Sequence, residues 1–112
     1  MTCGKLEIEI LNTFWSMSST DSDITIQDVV DSMGKNGIVR AYTTVKTVMD
    51  RLVAKSVLVR YKKGKKFFYS TTMTKSEMAQ ESIKEVANQF FGGNYREIQN
   101  FIETQCLSDL VC

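Results

Sequence analysis

The sequence predicts a mainly helical α+β protein, with a winged helix-turn-helix domain in residues 1–72 and a helical segment in residues 73–112. Three observations predict it. Apolar residues recur at helical spacing in one segment after another. A single pair of β-rich runs flanks a Lys-Gly-Lys turn. Positive charge is gathered into one block around that turn. A chain of 112 residues with 43% hydrophobic and 24% charged residues has globular composition, long enough to fold without a disulfide or metal staple.

The elements follow in order. Leu6, Ile10, Leu11, Phe14 and Trp15 give residues 5–17 a helical stripe, although the Leu6, Ile8, Ile10 alternation also permits a strand. Residues 16–24 are rich in Ser, Thr and Asp and read as a loop. Thr25 opens a T-x-x-D pattern that caps a second helix carrying Ile26, Val29, Val30 and Met33, with Gly34 and Gly37 ending it. A third helix runs from about Tyr42 to Lys55, its buried stripe Val45, Val48, Met49, Leu52 and Val53.

Val57–Lys62 and Lys66–Thr71 then read as a hairpin joined across Lys63-Gly64-Lys65, where Gly64 supplies the positive φ of a tight turn. Thr74-Lys75-Ser76-Glu77 is a capping box before a helix with Met78, Ile83, Val86, Ala87, Phe90 and Phe91. Gly92-Gly93 stops that helix. Asn94 caps a last one with Tyr95, Ile98, Phe101 and Ile102, extending toward Leu107 and Leu110.

The net charge of +1 hides a strong asymmetry. Residues 1–34 hold one basic and six acidic residues, residues 35–66 ten basic and one acidic, and residues 67–112 three basic and six acidic. Such a block attracts phosphate backbones, where a merely solvated face is the plainer alternative. Histidine is absent, so triads built on Ser–His or Cys–His are excluded, and no phosphate-cradling loop appears. The chain is therefore expected to be no enzyme and to need no cofactor. Three unevenly spaced cysteines, Cys3, Cys106 and Cys112, make no disulfide framework and fit a reducing cytosol. No apolar run reaches membrane-span length, so a soluble cytoplasmic protein is expected.

Helix, helix, helix and basic hairpin form the order of a winged helix-turn-helix. The major groove admits one α-helix, and the polar face of the third offers hydroxyls and a cation to base edges. Arg40, Tyr42, Thr43, Thr44, Lys46, Thr47 and Arg51 are the candidate contacts there, with Asp50 on the same face. Lys62, Lys63, Lys65 and Lys66 on the hairpin tip would straddle phosphates of double-stranded DNA. Two other readings remain. Cys106 and Cys112 suggest a metal-responsive repressor, although a C-x5-C spacing matches no strong metal motif. A winged helix that binds only protein is the second, and salt-insensitive duplex binding would favour it.

Glu7-Ile8-Glu9-Ile10-Leu11, Phe14-Trp15, Ala41-Tyr42-Thr43-Thr44-Val45 and Arg51-Leu52-Val53 resemble the penicillinase-repressor family, which includes the BlaI/MecI β-lactam-resistance repressors and the copper-responsive CopY type. Val59-Arg60-Tyr61-Lys62-Lys63-Gly64-Lys65-Lys66 with Tyr69-Ser70 resembles its wing, and Phe90-Phe91-Gly92-Gly93 the segment before its final helix. The resemblance spans nearly the whole chain. It implies a homodimer on a palindromic operator, held by intertwined C-terminal helices with Val86, Phe90, Phe91, Ile98, Phe101 and Ile102 in the seam. Gln99-Asn100-Phe101-Ile102 resembles the segment that a sensor protease cuts, which makes Asn100–Phe101 the corresponding bond. There are departures. Ser56 stands where the family has Gly, so a left-handed cap would be strained and the helix boundary is expected to differ. Thr71 stands where Pro is common, and the final helix is shorter than is typical, which implies a weaker dimer.

Overall fold

The computed structural model describes residues 4–17 and 23–107. The chain divides into two compact units, one of Cys3–Lys75 and one that carries Ser76–Cys112. The first contains α1 (Lys5–Met17), α2 (Ile26–Lys35), α3 (Tyr42–Ala54) and an antiparallel hairpin of β1 (Leu58–Lys63) and β2 (Lys66–Thr71). The second contains α4 (Lys75–Phe90), which begins at the boundary, α5 (Tyr95–Phe101) and a π-helical turn, Ile102–Cys106.

In the first unit the three helices pack on one another, with β1 against α3 and β2 against α1. The core is Ile10, Leu11 and Phe14 from α1, Val29 and Met33 from α2, and Val45, Met49 and Leu52 from α3. Val57, Leu58 and Tyr69 close it from the hairpin side. Each such side chain contributes about 1.5–3 kcal/mol on burial, which holds three short helices that would be marginal alone. The residues 5–17 stripe is a helix, and its strand alternative falls away.

Capping chemistry explains the helix limits. Thr25 Oγ1 accepts from the Asp28 N–H at 3.1 Å, and the Thr25 N–H donates to Asp28 Oδ2 at 3.0 Å. At the other end Gly34 lies inside α2, contrary to the reading of it as a stop. Gly37 alone takes the left-handed conformation, at φ 82°. The Ile38 N–H then bonds back to the Met33 carbonyl at 2.9 Å and the Gly37 N–H to the Gly34 carbonyl at 3.1 Å, a Schellman closure.

The same closure ends α3 with a serine. Ser56 adopts φ 63°, and the Val57 N–H reaches the Leu52 carbonyl at 3.0 Å while the Ser56 N–H reaches Val53 at 2.9 Å. The expected shift of that boundary does not occur; the backbone keeps the left-handed cap and bears the strain. Because the Val57 N–H is used by this cap, the strand begins at Leu58 rather than at Val57.

The hairpin turn is also tighter than the sequence suggested. Lys63 pairs with Lys66, leaving only Gly64 and Lys65 in the turn. Gly64 has φ 62° and Lys65 does not have a positive φ, the pattern of a II′ turn that matches strand twist. Ile24, read as loop, forms an isolated bridge to Tyr69, whose N–H donates to the Ile24 carbonyl at 2.8 Å. The hairpin is thereby tied to the segment that leads into α2.

In the second unit, Gly92 (φ 56°) and Gly93 (φ 80°) end the α4 segment. Asn94 caps α5 by accepting from the Arg96 and Glu97 N–H groups at 2.9 and 3.4 Å. The last helix does not continue as α through Leu107. It passes into the π-helical turn, across which Thr104 Oγ1 donates to the Asn100 carbonyl at 2.8 Å. Leu110, Cys112 and Cys3 lie outside the described residues.

Candidate nucleic-acid interface

The outward face of α3 follows from its buried one. With Val45, Val48, Met49 and Leu52 turned inward, 3.6-residue periodicity leaves Tyr42, Thr43, Thr44, Lys46, Thr47 and Arg51 exposed, as the structure has them. Thr47 Oγ1 donates to the Thr43 carbonyl at 2.9 Å, which fixes its rotamer and leaves both lone pairs of the hydroxyl able to accept. The start of α3 differs from that of α2. Ala41 offers no side-chain cap and no acid stands in the first turn, so the positive end of this helix is left open.

Beside α3 lies one face of the hairpin. Residues directly opposite share a face, so Leu58, Arg60 and Lys62 align with Thr71, Tyr69 and Phe67. Leu58 and Tyr69 are buried, while Arg60, Lys62 and Phe67 continue the face outward. The Arg60 guanidinium lies 5.1 Å from the Phe67 ring centroid and the Lys62 ammonium 5.7 Å from it. Between helix and hairpin is an open cleft of about 400 Å³. Tyr42, Lys46, Arg60, Lys66, Phe67 and Tyr69 line it together with the first residues of α2.

The predicted contacts are thus gathered unevenly. Tyr42, Lys46 and Lys66 meet at the cleft. Lys62, Lys65 and Lys66 are exposed on the hairpin. Lys63 is exposed too, yet its Nζ is 2.7 Å from Asp23 Oδ2, whose other oxygen accepts from the Tyr61 hydroxyl at 2.7 Å. Those two bonds, from Lys63 first and then Tyr61, hold the Asp23 carboxyl below its usual range. Arg40 faces a different hollow, with Val30, Asp31, Lys35 and Val39. Arg51, on the last turn of α3, is exposed outside the cleft lining, and its charge adds to the lowering of the Glu7 pKa.

Arg60 and Phe67 escaped the sequence reading of contacts, as did the pairing of Asp50, which the sequence places only on the face. Asp50 Oδ2 accepts from Lys46 Nζ at 2.9 Å, and Arg60 Nη1 is 3.7 Å from Oδ1. The i, i+4 spacing of Lys46 and Asp50 is a signal that could have found the first pair. The second needed the hairpin register, which puts Arg60 rather than Val59 on the inner face.

The residues expected in a dimer seam occupy the second unit. Val86, Phe90, Phe101 and Ile102 are exposed, while Phe91 and Ile98 are half-buried. Phe91 and Phe101 meet edge-on with centroids 5.5 Å apart. Ile98 and Ile102, with Ile83, Tyr95 and Leu107, line an apolar groove of about 400 Å³. The Asn100–Phe101 bond lies at the end of α5, next to the π-helical turn. No described helix is long and apolar enough to cross a membrane, and no group of three metal-ligating side chains occurs among the described residues.

Known proteins place this architecture. Two relatives, each a penicillinase repressor, align with most of the chain. The Staphylococcus aureus protein is 24% identical over 107 residues, 92% of this chain and 79% of that protein. The Bacillus licheniformis protein is 26% identical over 103 residues, 91% of this chain and 77% of that protein. A solved structure, the solution structure of the Bacillus licheniformis BlaI monomeric form in complex with the blaP half-operator, superposes with a TM-score of 0.53. It is 25% identical and covers 69% of this chain and 88% of its own. This likeness agrees with the winged-helix expectation, and the family is one of repressors rather than enzymes. The penicillinase repressor family model matches residues 3–110, and the chain belongs to that family.

Proposed function

We propose that the protein is a DNA-binding transcriptional repressor that sits on a palindromic operator as a homodimer in the cytoplasm. The observation that carries the reading is the exposed Thr-and-Lys face of α3 set beside a lysine-rich hairpin, in a chain similar to one solved with its half-operator. In this reading α3 enters the major groove. Thr43, Thr44 and Thr47 present methyls and hydroxyls to base edges, and Lys46 donates to guanine acceptors. Lys62, Lys65 and Lys66 take phosphates beside the groove, and the open start of α3 adds its N–H groups to that grip. Lys63, held by Asp23, braces the hairpin more than it binds.

Pairing comes from the second unit, whose exposed Val86, Phe90, Phe101 and Ile102 find cover in a second copy. Two heads on one dimer read two half-sites, and avidity makes the pair bind far better than either alone. Release would come from a sensor protease that cuts Asn100–Phe101 and strips apolar residues from the seam.

The test is a salt titration on operator and random duplexes. With about 6–10 phosphate contacts, affinity should fall roughly 10³–10⁵-fold between 50 and 200 mM salt. Lys46→Ala or Thr47→Ala should weaken the operator by about 1–3 kcal/mol more than random DNA, whereas Lys65→Ala should weaken both alike. Binding that ignores salt would sink the proposal and favour a protein-binding module.

A further inference from the structure

Asp50 is the one acid in the basic block of residues 35–66, and it stands on the face of α3 that looks toward the hairpin. Its two oxygens are divided between two cations of different elements. Oδ2 takes the Lys46 ammonium of α3 at 2.9 Å, and Oδ1 faces the Arg60 guanidinium of β1 at 3.7 Å. Oδ1 is buried and accepts no hydrogen bond. Arg60 is steadied from its other side by the Phe67 ring.

Stability does not account for this arrangement. Exposed ion pairs contribute about 0–1 kcal/mol, and Lys four residues before Asp is the poorer order on a helix. An oxygen buried without a hydrogen bond costs free energy instead of supplying it. A carboxylate here also repels every phosphate backbone, whatever its sequence. Its consistent effect is on the two cations, which without it would repel each other across the cleft and turn toward any phosphate in reach.

We propose that Asp50 is a specificity-determining positioning residue, which holds Lys46 and Arg60 back from random DNA and releases Lys46 only to a base acceptor that replaces the carboxylate. The inference rests on the DNA-binding reading above. On random duplex the protein meets phosphates with both cations held by Asp50 and one of their two charges cancelled. On the operator a guanine edge takes over from Asp50 at Lys46, so the ammonium keeps an acceptor while the carboxylate it leaves still faces Arg60. The hydrogen bond and charge of Asp50 raise the Lys46 pKa, so the pair persists across working pH.

Asp50→Asn tests it, since the amide keeps the shape and removes the charge. Random-duplex affinity should rise, and the slope of log affinity against log salt should steepen by about one to two, near 0.9 for each cation gained. The operator-to-random ratio should fall about tenfold, the scale of one good base contact. Lys46→Met should abolish about half of the slope gained by Asp50→Asn. Asp31→Asn, which removes an exposed acid of α2, supplies the effect of charge alone and should move both duplexes equally. A DNA-free measurement completes the set: the side-chain NMR titration of Lys46 should drop toward that of an ordinary lysine in Asp50→Asn. If Asp50→Asn leaves the ratio unchanged and behaves as Asp31→Asn does, or if the Lys46 titration does not move, the proposal is overturned while the repressor reading stands. A wild-type protein that binds no duplex at any salt overturns the repressor reading and this inference with it.

Discussion

In the Cys3–Lys75 unit, the large apolar side chains of all three helices are buried: Ile10, Leu11 and Phe14, Val29 and Met33, Val45, Met49 and Leu52. In the unit of Ser76–Cys112, only Met78 and Ala87 are buried among the described residues, while Ile83, Val86, Phe90, Tyr95, Phe101, Ile102 and Leu107 are exposed. Apolar residues recur at helical spacing in both. The difference is that the first unit has three helices and a hairpin to cover its stripes, and the second has one long helix and two short ones. The first covers its own stripes and carries the basic block on its surface. The second has apolar area that water does not favour, the area that the proposed homodimer would cover.

Ending the chain after Asn100 is the strongest way to sharpen that contrast. It removes Phe101, Ile102 and Leu107, each worth about 1.5–3 kcal/mol if the seam buries it. Sedimentation equilibrium should show the full chain dimeric and the truncated chain monomeric, and operator affinity should fall with the mass. Unfolding of the first unit should be unaltered by the truncation. A truncated chain that stays dimeric and binds as before would remove both the seam assignment and the proposed cleavage switch.

The same contrast sets what could be read from the chain. Local rules worked at several local features: Thr25 with Asp28 capped a helix, Asn94 capped another, and Gly64 made the turn, while Gly34 did not stop α2. Stripes identified helices without saying what would cover them, and Val86 and Phe90, given to a seam only by the resemblance, are exposed. The ion pairs that fix the first unit were invisible for the same reason. Lys55 meets Glu7 across 48 positions, and Lys63 meets Asp23 across 40. Their charges appeared only as members of an acidic and a basic block. The DNA-facing site was legible as a face, but not in its detail, since Arg60 and Asp50 meet only once the hairpin register brings β1 beside α3.

Glu7 offers the next test, confined to the first unit. Its carboxylate is buried and takes the Lys55 ammonium at 2.8 and 3.1 Å and the Gly4 N–H at 2.8 Å. Burial pushes its pKa up, but the Lys55 and Gly4 hydrogen bonds, with the charges of Lys55 and Arg51, outweigh that and hold it below the usual glutamate range. A depressed carboxyl pKa stabilises the fold above the unfolded-chain value, and this contribution is lost as pH falls through the folded one. Glu7→Gln should therefore cost about 1–3 kcal/mol at neutral pH, and the gap to wild type should close in acid. Urea unfolding at several pH values would show it, with the monomer–dimer midpoint unmoved. A gap that stays constant with pH would mean that Glu7 acts through packing and not through its charge.

The smallest effect belongs to Ser56, at the end of α3. Its φ of 63° completes a Schellman closure that aims the chain from α3 into β1, and the side chain is exposed. Holding a residue with a Cβ in this region costs about 1–2 kcal/mol. Glycine avoids that cost, but its freedom in the unfolded chain takes back about 0.4–1 kcal/mol. Ser56→Gly should therefore stabilise the first unit by a net of about 0.5–1 kcal/mol. The urea midpoint should rise with its slope unchanged, and the dimer equilibrium should not respond. Ser56→Ala is the control, because alanine keeps the Cβ and the strain while discarding the hydroxyl. If Ala stabilises as much as Gly, the hydroxyl is the unfavourable group and the backbone is not. If neither does, the α3 closure bears no strain, and the family's preference for glycine at this turn has some other origin.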